Sequence, residues 1–179
     1  VADQPKVLWP MTTDLLVALS NGTSGVELLA VSFKYAQDLH TPRVCELLRT
    51  LRMYWAKQGV PWILVTPSQY DRLVASSIRN GLAYIAGEDA VARDLIDRCA
   101  ALKARMHGLP ATDLPGLLAK QLGTPWGVAS RVFWQTVWAG CLPINLSRRS
   151  WMDGDIEVIH PAKFWEQNPI AVRRSQWSL

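Results

Sequence analysis

Asp14 stands at the start of an apolar run, Leu15–Leu19, and Lys34 closes the triplet Ser32-Phe33-Lys34 in the next one. A carboxylate and a lysine at the ends of neighbouring strands are a combination that can serve phosphodiester hydrolysis. A hard divalent cation takes oxygen ligands, which Asp14 and the backbone carbonyl of Phe33 can supply. Lys34 can orient the attacking water or offset the charge growing on phosphate oxygens. Ser32 and Lys34 are two apart, so on a strand they share one face. The same residues also suit a plainer reading as surface groups at strand ends, and pattern alone does not separate the two.

The elements that must hold these residues follow from the apolar pattern. Leu15–Leu19 reads as a short strand. Asn21-Gly22 is a hairpin signal inside a longer loop, Ser20–Gly25, and Leu28–Tyr35 reads as the returning strand. Thr41 and Pro42 suit the N-cap and first position of a helix over Pro42–Gln58. Its apolar stripe is Val44, Leu47, Leu48, Leu51 and Trp55, and Gly59 ends it. Trp55 shares that stripe, which leaves Tyr54 more exposed. Val60–Thr66 is a continuous apolar run, expected to be a strand buried on both faces. Strand, helix and buried strand suggest a right-handed crossover. Ser68–Asn80 is expected as a further helix, stopped at Gly81.

Composition shifts near Gly87. Helices are expected over Asp89–His107, Asp113–Leu122 and Pro125–Ala139, with Gly123-Thr124-Pro125 as the turn before the last. Cys141–Leu146 and Ile156–Ile159 look strand-like, with Arg148, Arg149 and the turn Asp153-Gly154 between them. Helix, short helix, turn, helix, hairpin is the order of a winged helix.

The sequence has 179 residues, 49% apolar and 19% charged, enough for one ordinary domain or two small ones and too apolar for disorder. It holds no run of about 18 apolar residues that would span a membrane and no signal-peptide pattern at its start. Cys45, Cys99 and Cys141 are odd in number and lack CxxC spacing, so free thiols in a reducing cytosol are expected. His40, His107 and His160 are scattered. The net charge of +4 permits nucleic-acid contact without demanding it. Its distribution says more: from Leu114 to Met152 there is no acidic residue, while Lys120, Arg131, Arg148 and Arg149 all fall there.

Four segments in order carry a family resemblance: Pro10-Met-Thr-Thr-Asp-Leu-Leu-Val17, Leu29-Ala-Val-Ser-Phe-Lys34, Arg52-Met-Tyr-Trp55 and Val60-Pro-Trp-Ile-Leu-Val-Thr66. Together they resemble TnsA, the endonuclease subunit of heteromeric, cut-and-paste bacterial transposases. The match is close over residues 8–80 and a matter of pattern beyond. The resemblance implies an α/β restriction-endonuclease-like core of the PD-(D/E)xK type over residues 1–87. An α+β winged-helix domain would follow over 88–160, then a C-terminal tail, 161–179. It implies Mg2+- or Mn2+-dependent cutting of double-stranded DNA at the transposon 5′ ends, in the bacterial cytoplasm. A TnsB-like transposase and a TnsC-like AAA+ ATPase regulator would be the partners. Asp14 falls on the family's metal-binding aspartate and Lys34 on its catalytic lysine. Ser32 stands where the family has Gln or Glu, and it supplies no charge. The family's catalytic glutamate precedes the aspartate on an upstream helix and is expected outside this sequence. A non-catalytic scaffold bridging DNA, transposase and regulator is the alternative expectation.

Further candidates complete the picture. Arg43, Arg49 and Arg52 on the first helix, Arg131 and Gln135 on the helix after Pro125, and Arg148 and Arg149 at the wing are candidate DNA contacts. Trp165, Arg173, Arg174 and Trp177 in the tail are candidate partner contacts.

Overall fold

A computed structural model describes residues 11–20, 25–84, 90–147 and 154–177. The chain forms two compact units. One joins Val1–Gln69 with Arg173–Leu179, and the other is Tyr70–Val172.

In the first unit, β1 (Leu15–Ser20) runs antiparallel to β2 (Val26–Phe33), with Leu15 opposite Val31 and Leu19 opposite Glu27. The expected turn Asn21-Gly22 lies outside the described residues. Helix α1 (Pro42–Lys57) then carries the chain to β3 (Trp62–Val65), which pairs parallel with β2. Parallel pairing needs such a crossover, because two parallel strands cannot be joined by a tight turn. The sheet order is β1-β2-β3. Thr41 occupies the N-cap position of α1 without a side-chain cap bond, and Pro42 opens the helix as expected. Leu48 is buried on α1, and the Trp55 indole N–H donates to Thr13 Oγ1 at 2.8 Å, which marks the helix side turned to the sheet. Leu47 of the expected stripe stays exposed, and so does Tyr54.

The second unit is mainly helical: α2 (Arg72–Leu82), α3 (Arg93–Ala101), α4 (Lys103–Met106), α5 (Leu114–Leu122), α6 (Trp126–Trp138) and α7 (Pro161–Glu166). Its core gathers Val74, Cys99, Met106, Leu118, Phe133 and Ile144. Four expectations change here. The helix expected over Ser68–Asn80 starts at Arg72, because the Asp71 carboxylate accepts the Leu73 N–H at 2.7 Å and so caps it. Gly81 lies inside that helix instead of stopping it. A Cβ there would sit 2.6 Å from Trp134 Cζ3, so glycine lets α2 approach α6. The boundary expected near Gly87 falls between Gln69 and Tyr70, because α2 packs into the second core. The segments expected as strands after α6 meet in an isolated antiparallel bridge, Ile144 with Val158, and a second bridge joins Pro110 to Asp155.

Cys99 is buried, while Cys45 and Cys141 are half-buried. Burial pushes the Cys99 thiol up, and its hydrogen bond with Thr136 only partly opposes this. Unfolding would let this thiol ionise from about pH 8.5, whereas the folded chain keeps its proton. In that range the native state therefore holds more protons, and stability falls as pH rises. With a thiol reagent at pH 8, Cys45 and Cys141 should be modified while Cys99 stays unmodified until denaturant is added. Equal labelling of all three in the folded protein would contradict the burial.

Candidate functional site

Pairing register sets the faces of the sheet. Leu15 lies opposite Val31, so one further step back places Asp14 level with Ser32. Asp14, Ser32 and, two along, Lys34 therefore share one face, as the spacing suggested. The Lys34 ammonium stands 3.9 Å from Asp14 Oδ2, with both side chains partly exposed. That same oxygen accepts the Phe33 N–H at 2.8 Å, which ties the start of β1 to the end of β2. On the other side, the Lys34 N–H donates to the Val65 carbonyl at 3.2 Å. The two side chains thus sit at strand ends held from both flanks. An exposed ion pair at this distance contributes little to stability.

Ser32 is buried beneath this surface, at 1% exposure, and its Oγ accepts the Trp62 indole N–H at 3.1 Å. It braces β3 against β2 and leaves Asp14 as the anionic oxygen donor of the trio. Among the described residues no cluster of three or more His, Cys, Asp or Glu side chains could hold a metal ion. One carboxylate, already bonded to a backbone N–H, does not by itself fit a divalent cation. A divalent site here would need at least one further anionic ligand.

The arginine candidates separate. Arg43 and Arg52 are nine positions apart on α1, about two and a half turns, so they leave the helix on opposite sides. Arg49 lies closer in angle to Arg52, which is half-buried. In the second unit Gln135 is turned inward. Its Oε1 accepts the Val91 N–H at 2.9 Å and its Nε2 donates to the Tyr84 carbonyl. The structure therefore uses it to hold Tyr84 and Val91, and its amide is not free to read a base. Helix α6 is buried at seven positions, from Ala129 to Val137, so its outer face narrows to Trp126, Gly127, Arg131 and Trp138. Arg148 and Arg149 lie outside the described residues.

The tail candidates find partners within the chain. Arg173 pairs with Glu27, and the Arg174 guanidinium donates to the Gln69 carbonyl at 3.2 Å. The Trp177 N–H donates to Ser175 Oγ at 3.2 Å, and Trp165 is 43% exposed. Sequence reasoning missed the cavity of about 380 Å3 in the second unit, walled by Tyr84, Leu118, Trp126, Phe133 and Trp134. The exposed Trp126, directly after the turn-forming Gly123-Thr124-Pro125, was its only signal.

Residues 2–67 match the family model described as TnsA-like endonuclease N terminal. No curated protein matches the chain.

Proposed function

Since residues 2–67 of this chain belong to the TnsA-like endonuclease family, we propose that the protein acts as the transposon-end endonuclease subunit of a heteromeric DNA transposase. The observation that carries this reading is the approach of Asp14 and Lys34 to 3.9 Å on one sheet face, at strand ends fixed by backbone bonds. Asp14 and the Phe33 carbonyl would supply two of the oxygen ligands of a divalent ion, with a further anionic ligand needed to complete the set. Lys34 orients water or neutralises a phosphate oxygen. The core is restriction-endonuclease-like, and a TnsB-like transposase and a TnsC-like ATPase are its partners. The test is nicking of duplex DNA carrying a transposon end, with Mg2+ or Mn2+ and the partner transposase present. Lys34→Ala should keep DNA binding and stop cutting. Cutting by Lys34→Ala at the wild-type rate would remove Lys34 from the site.

One observation favours a second reading. No group of three or more His, Cys, Asp or Glu side chains gathers around Asp14 among the described residues, and Ser32 is occupied by Trp62. A scaffold that keeps the fold and bridges DNA, transposase and regulator needs neither a second carboxylate nor a free Ser32. Wild-type protein that binds transposon ends yet never nicks them under any metal would establish this alternative.

The second unit is proposed as a winged helix. Support comes from the order of α3, α5 and α6, and from backbone bonds on both sides of residues 155–159. Ile156 N donates to the Leu109 carbonyl, and Asn145 N to the Glu157 carbonyl, each at 2.9 Å. Arg131, Arg148 and Arg149 would contact phosphate there, and on the first unit Arg49 with Arg52, or Arg43 from the opposite side of α1. Replacing Arg148 and Arg149 together by Ala should weaken matched and unmatched DNA about equally. The slope of log affinity against log salt should fall by up to about 1.8, since each phosphate contact releases counterions. Loss of discrimination between sequences, with an unchanged slope, would mean the arginines read bases instead.

A further inference from the structure

We infer that Ser175 and Gln176 are positioning residues for Lys34: the C-terminal segment closes the outer edge of β3 and holds that strand in register against β2. The consequence for catalysis rests on the reading of Asp14 and Lys34 as a site; the brace itself rests on geometry alone.

β3 is four residues long and outermost in the sheet. Leu64, at its middle, has no exposed surface. Its N–H and C=O point away from β2, so without a partner both would be buried and unbonded, which folded chains avoid. Ser175 and Gln176 supply the partners. Leu64 N–H donates to Ser175 Oγ at 3.1 Å, and the Gln176 N–H donates to the Leu64 carbonyl at 2.8 Å. The serine hydroxyl stands in for the carbonyl of a fourth strand.

The segment is fastened on both sides of this contact. Arg173 pairs with Glu27 on β2. The Gln69 side chain accepts the Thr66 N–H just past β3, and its Nε2 donates to the Arg174 carbonyl at 3.0 Å. None of the side chains from Arg173 to Trp177 is fully buried, so directional bonds rather than apolar burial hold the segment. From Leu64 the path to the site is short. The neighbouring Val65 pairs with Phe33, and its carbonyl accepts the Lys34 N–H. Phe33 N–H in turn donates to Asp14. A β3 that slips or frays therefore takes away the bond that orients the backbone of Lys34.

Amide hydrogen exchange on the full chain tests this, residue by residue, and needs no nuclease activity. Gln176→Pro removes the N–H donor, whereas Gln176→Ala keeps it. Ser175→Ala removes the acceptor for Leu64, whereas Ser175→Thr keeps a hydroxyl. In Gln176→Pro and Ser175→Ala the Leu64 and Lys34 amides should exchange at least about tenfold faster, while those of Val17 and Leu29 in the β1–β2 ladder do not change. Gln176→Ala and Ser175→Thr should match the wild type. If Gln176→Pro fails to fold, the two serine variants carry the test. Faster exchange at Leu64 with Lys34 unchanged would overturn the positioning role, and so would a uniform rise across the first unit. Nicking by the wild type is the separate reading of the site: a chain that never cuts but shows this exchange pattern keeps the brace and loses the nuclease.

Discussion

Asp14→Asn should reduce metal-dependent nicking by at least about a hundredfold while leaving the melting temperature near that of the wild type. Removing one preorganised electrostatic group from a hydrolytic site costs on the order of 10²–10³ in rate, and a metal-binding carboxylate is such a group. The pairing of variants separates charge from structure. Asp14 Oδ2 accepts the Phe33 N–H, and an asparagine side-chain oxygen can take over that bond without the charge. Asp14→Ala loses both. Because the site is partly exposed, water can replace the lost acceptor, and the cost to folding should stay below about 1.5 kcal/mol. Gel assays of nicked duplex, with thermal melts of the same preparations, make the comparison. Undiminished cutting by Asp14→Asn would show that the carboxylate is not a metal ligand, whatever its neighbour Lys34 does.

The part of this site that the sequence made legible is the part set by local alternation. Ser32 and Lys34 share a face because strands have period two, and the β1–β2 register, extended one step past Leu15 and Val31, sets Asp14 opposite Ser32. The run Val60–Thr66 announced a buried strand, and its core, Trp62–Val65, is one, although it sits at the sheet edge. The reason for that burial was not legible. The outward N–H and C=O of Leu64 are met by Ser175 and Gln176, more than a hundred residues later, and a contact at that separation leaves no period in either segment. The tail therefore reads as an unpaired apolar-basic stretch until the fold shows what its backbone bonds to.

The unit boundary failed for a related reason. Glycine and a change in composition near residue 87 look like a linker, whereas the fold divides where Val74 and Gly81 of α2 find the second core. Gln135 shows the same limit on a smaller scale. Its position on α6 suits a polar recognition face, but its amide is spent on Val91 and Tyr84, which approach it from elsewhere in the chain. Side-chain type predicts what a residue can bond to, and only packing decides which partner gets there first.

Phe133→Ala should be the most destabilising single change in the second unit, at about 3–5 kcal/mol, the range for emptying a buried aromatic site. Phe133 is 1% exposed, lies mid-helix on α6 and meets Trp134 edge-on, with ring centroids 5.6 Å apart. Its loss would widen the neighbouring cavity, which already borders this ring, rather than let the walls collapse. The instructive companion is Gly81→Ala, where two effects of known sign compete. Alanine in a helix gains about 1 kcal/mol over glycine. Against that, the new methyl would stand 2.6 Å from Trp134 Cζ3 and 2.7 Å from Cδ2, so a buried indole has to move. Overpacking of this kind costs about 1–3 kcal/mol, and Trp134, only 3% exposed, has little room to yield. The net should be destabilising, and smaller than for Phe133→Ala. Urea unfolding followed by tryptophan fluorescence gives both numbers, with a lowered midpoint and an unchanged slope as the expected signature. A Gly81→Ala variant more stable than the wild type would mean that α2 does not need its close approach to α6, and the placement of α2 in the second unit would lose its physical basis.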